Sequence, residues 1–145
     1  MNDPRTDLKD ALAELARRKK AEEIPDRHLV RLSLLSLGRL LIDGAEEEAA
    51  EPARELMALV EAHGDHWVEA FNSEMALAVA EHVHGVDPHY LDLPSYDFDY
   101  TVAARERLEA RLRAADALHL PVAEALLEQV AAADERLAPY LNREA

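Results

Sequence analysis

Apolar residues recur along nearly the whole chain at spacings of three and four, the period of one helix face. Nowhere do they alternate with polar residues for the length of a strand. Leu8, Leu12, Leu15 and Ala16 form the first stripe, preceded by Asn2-Asp3-Pro4 and followed by Arg17, Arg18, Lys19 and Lys20. A short polar cap, a first-turn proline and cations in the last turn suit the two ends of a helix dipole. They predict a first helix from about Pro4 to Ala21. A second, from Pro25-Asp26 to Asp43-Gly44, carries Leu, Val or Ile on nearly every face. A helix apolar all round is a buried one, so this segment is the expected centre of the core. Ser33, Ser36 and Gly38 leave room on it for a neighbouring helix to approach closely.

Beyond Gly44 the pattern is less regular, because Pro52 interrupts a run of helix formers that begins after Glu46. The regular part of a third helix is expected over Pro52 to His63, with Leu56, Leu59 and Val60 inward and Gly64 as its stop. A fourth, from Asp65 to about His84, aligns Trp67, Phe71, Met75, Ala78 and His82. A fifth starts near Asp99 or Thr101 and carries Leu108, Leu112, Ala115 and Leu118. A sixth starts at Pro121, and its Val122, Leu126, Val130, Ala133, Leu137 and Tyr140 are spaced like a coiled-coil seam. The expected fold is all-α: one compact domain over residues 1–145, a bundle of about six helices with short loops and one long connection at about 85–99. A chain of 145 residues, 49% of them hydrophobic, can bury a core of its own.

Charge changes the picture because it is segregated. The formal net charge is −14, and residues 32 to 101 hold 15 acids against 2 bases. Such a surface repels the phosphates of nucleic acid, so no direct nucleic-acid partner is expected. It either solvates helix faces or steers a basic protein partner toward the chain. A third arrangement is internal, with the cationic end of the first helix and Arg105, Arg107, Arg111 and Arg113 neutralising the acids within a homodimer. The absence of cysteine removes disulfides, thiolate metal sites and cysteine nucleophiles together. The start of the chain lacks an apolar leader, and the most apolar stretch, Leu29 to Ile42, is too short to span a bilayer and is broken by Arg31 and Arg39. The expected location is cytoplasmic, with no membrane partner.

The long connection is unusually aromatic. Tyr90, Tyr96, Phe98 and Tyr100 fall in or beside it, interleaved with Asp87, Asp92, Asp97 and Asp99 and with no Lys or Arg between them. Long connections are frequently functional, and tyrosine gives contact area with little entropy to lose. Packing is the plainer role, with Tyr90, Phe98 and Leu93 pinning the segment to the bundle. The two roles are compatible, since one side can pack while the other recognises. The string Asp97-Phe98-Asp99-Tyr100-Thr101 matches the DxDxT motif of haloacid-dehalogenase phosphatases. That motif needs an apolar strand before it, and Leu93-Pro94-Ser95-Tyr96 is not one, so the match is set aside.

Histidines gather at both ends of the fourth helix, at His63 and His66 and again at His82, His84 and His89. With Glu81 and Asp87 the second group has the donor types of a zinc site. On one helix, however, His82 and His84 point about 200° apart. Glu81-x-x-His84 and Asp116-x-x-His119 resemble halves of a carboxylate-bridged iron site, but both sit at helix C-termini instead of mid-bundle. No cofactor, no catalytic residue and no metal ligand is therefore assigned. The function expected is that of a non-enzymatic helical interaction module: an adaptor, an antitoxin-like or immunity-like inhibitor, or a small assembly subunit. It would present Tyr90, Asp92, Tyr96, Asp97, Phe98, Asp99 and Tyr100 to a basic protein partner. A metal-binding bundle using the histidines of the fourth helix is the alternative, and self-association through the seam of the sixth helix a third.

Overall fold

The computed structural model describes residues 3–17, 26–93 and 98–144. Among these, six long helices and one short helical turn follow in order: α1 (Pro4–Arg17), α2 (Arg27–Ile42), α3 (Glu46–His63), α4 (Asp65–Gly85), α5 (Pro88–Leu91), α6 (Phe98–Ala117) and α7 (Glu124–Glu144). No described residue is in a strand, and the all-α bundle is as the periodicity indicated. The end expected for the first helix, Arg18 to Ala21, lies outside the described residues.

Helix α2 is the hub, packing on α1, α3, α4 and α6. Its start is set by Asp26, whose carboxylate accepts the His28 backbone N–H at 2.8 Å and so satisfies an otherwise orphaned donor. Its end is set by Gly44 at φ 78°, with Ala45 N–H returning to the Leu40 carbonyl at 2.9 Å. This is the left-handed closure that glycine makes cheaply. Val30, Leu34, Leu37 and Leu40 are buried along it and meet Leu8, Leu12 and Leu15 of α1, Leu56 of α3, Trp67, Phe71 and Met75 of α4, and Leu108 of α6. The burial is not all round. Leu32 and Leu35 are only half-buried and Ile42 is exposed, because six helices leave one face of α2 partly open.

Helices α2 and α6 approach closely enough for their backbones to meet. A Cβ built on Gly38 would fall 1.8 Å from the Ala110 carbonyl oxygen, so the two backbones touch where a side chain would stand. The small-residue patch at Ser33, Ser36 and Gly38 is thus used as its composition suggested.

Three boundaries differ from expectation. Helix α3 begins at Glu46, with Pro52 inside it, since Glu46, Glu47 and Glu48 in the first turn favour the helix N-terminus enough to carry the chain past the proline. Helix α7 begins at Glu124 instead of Pro121, with the Ala123 carbonyl receiving the N–H groups of Leu126 and Leu127. The long connection contains α5, started by the Asp87 carboxylate accepting the His89 N–H at 2.9 Å. The seam of α7 faces inward: Val130, Ala133 and Leu137 are buried, and α7 rests chiefly on α4. No helix is long and apolar enough to cross a membrane among the described residues.

Candidate functional site

The connection between α4 and α6 is fastened from beneath by a small cluster separate from the main core. Val86 and Leu91 pack there on Ala133 and Leu137 of α7, with Val83, Phe98 and Tyr140 at the edge. Phe98 and Tyr140 bring their ring centres to 5.9 Å, and the Tyr140 hydroxyl donates to Asp92 Oδ1 at 2.5 Å. Thr101, also buried, donates its hydroxyl to the Gly85 carbonyl at 3.5 Å and ties the start of α6 to the end of α4.

The expected recognition residues therefore divide. Asp92 and Phe98 turn to α7 and meet at Tyr140, although Asp92 stays exposed. Asp99 and Tyr100 stand outward on the first turn of α6, with Tyr100 58% exposed. Tyr90 lies on α5, and Tyr96 and Asp97 lie outside the described residues. Leu93, expected as a pin, is 43% exposed, and Leu91 takes that role because the α5 turn points it at α7.

Two charged clusters escaped the sequence reading. The first surrounds Glu74, which has no solvent exposure and sits among the apolar residues of α4. Arg31 of α2 holds it in a two-pronged pair, Nε to Oε2 at 3.1 Å and Nη2 to Oε1 at 3.0 Å. Arg27 and Arg111 approach the same carboxylate at 3.9 and 4.0 Å. The hydrogen bonds it donates to Glu74 hold the Arg31 guanidinium above its ordinary pKa. Burial pulls Arg111 below its own, against the opposing fields of Glu74 and Glu81. Arg111 is 5% exposed and its Nε has no hydrogen-bond partner, so Glu74 is the counter-charge that makes its burial tolerable.

The second cluster is a chain of pairs joining α6, α7 and α4. Arg113 and Arg105 both donate to Glu109, at 3.3 and 3.0 Å. Arg105 also grips Asp134 with Nε at 2.9 Å and Nη2 at 3.1 Å. Asp134 Oδ1 lies 2.7 Å from Nε2 of the fully buried His82. Burial alone would raise the Asp134 carboxyl, but the hydrogen bonds from Arg105 and His82 outweigh it and leave it below the ordinary carboxylate range. The first cluster had a legible signal. Ala104, Leu108, Arg111, Ala115 and Leu118 are spaced by four, three, four and three, which puts an arginine on the inner stripe of α6. Glu74, three residues after Phe71 and four before Ala78, stands on the inner stripe of α4 in the same way.

Chemically these clusters position helices. His82 has a carboxylate beside it, as a general base would, but its Nδ1 is buried without a partner and among the described residues no hydroxyl bonds to the ring. His63 is buried next to Trp67, ring centres 6.4 Å apart, and neither of its nitrogens has a partner. Among the described residues no three His, Cys, Asp or Glu side chains gather as a metal site would require. His82 is committed to Asp134, while His84 and His89 are exposed, so the grouping along the chain does not become a grouping in space. Comparison with protein-family models, with curated proteins and with solved structures finds no match to this chain.

Proposed function

We propose that the chain is a non-enzymatic helical interaction module that offers its acidic surface and the outer side of the α4–α6 connection to a basic protein partner. One observation carries this reading: Tyr100 and Leu93 are exposed on a segment whose other side is clamped by Leu91, Phe98 and the Tyr140–Asp92 hydrogen bond. An anchored segment loses little entropy when a partner covers it, and an exposed tyrosine and an exposed leucine supply contact area there. Asp92 and Asp99 on the same segment add the charge that would favour a basic surface. The acids of α3, exposed from Glu46 to Glu61, extend that field.

The test is capture from the native host by the full chain and by a Tyr100→Ala, Leu93→Ser double variant. Circular dichroism must show the same helix content in both. The expected result is a basic protein retained by the parent and lost by the variant. The same protein retained equally by both would overturn the reading.

A further inference from the structure

Helix α7 carries two stripes. Its inner one is spent on α4, but Leu127, Ala131, Asp134, Ala138 and Leu141 repeat at intervals of four, three, four and three beside it. Leu127 is 45% exposed and Leu141 40%, with Ala131 and Ala138 open between them. Such spacing is that of a helix face built to meet another helix. Among the described residues nothing covers it except at Asp134: α7 packs chiefly on α4 and is joined to α6 by the Arg105–Asp134 pair.

Between α6 and α7 this leaves an open groove in two parts that meet at Glu109. The upper part, about 690 Å3, runs past Leu112 to Leu127, and the lower part, about 450 Å3, past Leu137 and Ala138 to Leu141. From Leu127 to Leu141 the floor is about 21 Å long at 1.5 Å per residue, the length of two heptads. Apolar anchors thus stand at both ends of a trough whose middle carries the Arg105–Asp134 pair and Ala138.

The charge of the walls selects the occupant. Among the described residues the only bases in the groove lining, Arg105 and Arg113, are already paired with Glu109 and Asp134. Glu46, Glu106 and Asp116 line it exposed and without a cation among the described residues. Glu128 and Glu135 are exposed next to the stripe on α7. A second copy of the chain would bring glutamates against glutamates, whereas a basic helix would meet complementary charge. We infer that the α6–α7 groove is the docking site for a basic amphipathic helix of a partner protein, seated by two apolar anchors about two heptads apart. This rests on the proposed interaction role and places the contact on α6 and α7, away from Tyr100.

The probe is a synthetic helical peptide of about three heptads, leucine at the a and d positions and lysine elsewhere, with a glutamate-for-lysine peptide as control. Backbone amide shifts of the full chain are followed on titration, together with affinities of a Leu127→Glu, Leu141→Glu variant and of Ala138→Trp, which fills the trough. All three positions are exposed, so the fold should survive. Expected are shifts confined to Leu41, Glu46 and residues 105–122 and 127–141, at least tenfold weaker binding by both variants, and no binding of the acidic peptide. Shifts centred on α3, or affinity unchanged in both variants, would overturn the groove. So would a dimer through α7 in the absence of peptide. Shifts centred on residues 85–101 would overturn the groove while leaving the interaction role standing.

Discussion

The α2–α6 crossing and the seat of α7 on α4 are two solutions to holding a helix in one bundle. At the crossing, glycine lets backbone meet backbone at Gly38 and Ala110, and the buried Glu74 pairs with Arg31 and Arg111 alongside. At α7, three buried side chains and a half-exposed ion pair do the work, and Leu127, Ala131, Ala138 and Leu141 remain outside. The crossing tolerates almost no added volume and no lost charge. The outer face of α7 tolerates added volume, which is the property expected of a surface that must accept something else.

The largest separation should come from Glu74→Ala. It strands the buried Arg111, and removing one partner of a buried pair costs about 3–5 kcal/mol; the low end is expected because Arg31, 40% exposed, can turn to water. Urea unfolding measures it, and an added Arg111→Met should recover a large part of the loss. A Gly38→Ala substitution comes next. Helix propensity alone would favour it by about 1 kcal/mol, yet overpacking against Ala110 should leave a net loss of about 2 kcal/mol. Ala131→Leu on the outer stripe of α7 is its counterpart and should change the urea midpoint by less than about 0.5 kcal/mol. A loss at Ala131 as large as that at Gly38 would erase the contrast.

Acid should release α7 before the crossing. Asp134 has a folded-state pKa below its ordinary value, so its contribution is fully present above the unfolded-state carboxylate range. It is lost as pH falls through that range to the depressed folded value. Amide exchange followed from neutral pH downward should show α7 opening first, and Asp134→Asn should move that opening to neutral pH. Uniform opening of all helices would deny α7 a separate stability. A modest gain is expected at His119, which closes α6 at φ 57°, with Leu120 N–H returning to the Ala115 carbonyl. Glycine occupies that conformation without the Cβ penalty, so His119→Gly should raise stability by about 0.5–1 kcal/mol. A lower melting temperature would contradict it.

How much was legible in the sequence follows the range of the forces involved. The stops at Gly44 and Gly64, the cap at Asp26 and the stripes of α1, α4 and α7 are local, and reading them needs only neighbours along the chain. Pro52 misled because its local cost competes with three first-turn glutamates and with packing of Ala49 and Leu56, both buried. The aromatic connection was recognisable as a feature, but which of its residues pack was not. Leu91 and Leu93 differ by two positions in sequence and by burial in the fold, because α7, some forty residues away, lies beneath only one of them.

By itself, then, the sequence determined an all-α bundle with its hub at α2 and an acid excess in the middle of the chain. Helical periodicity and net charge are properties of the chain, whatever it packs against. Only the tertiary structure decided that Glu74 is an internal counter-charge, that Asp134 joins His82 to Arg105, and that α7 keeps a second stripe exposed. Each of these depends on which distant helix faces the residue, since burial and ion pairing are set by neighbours in space.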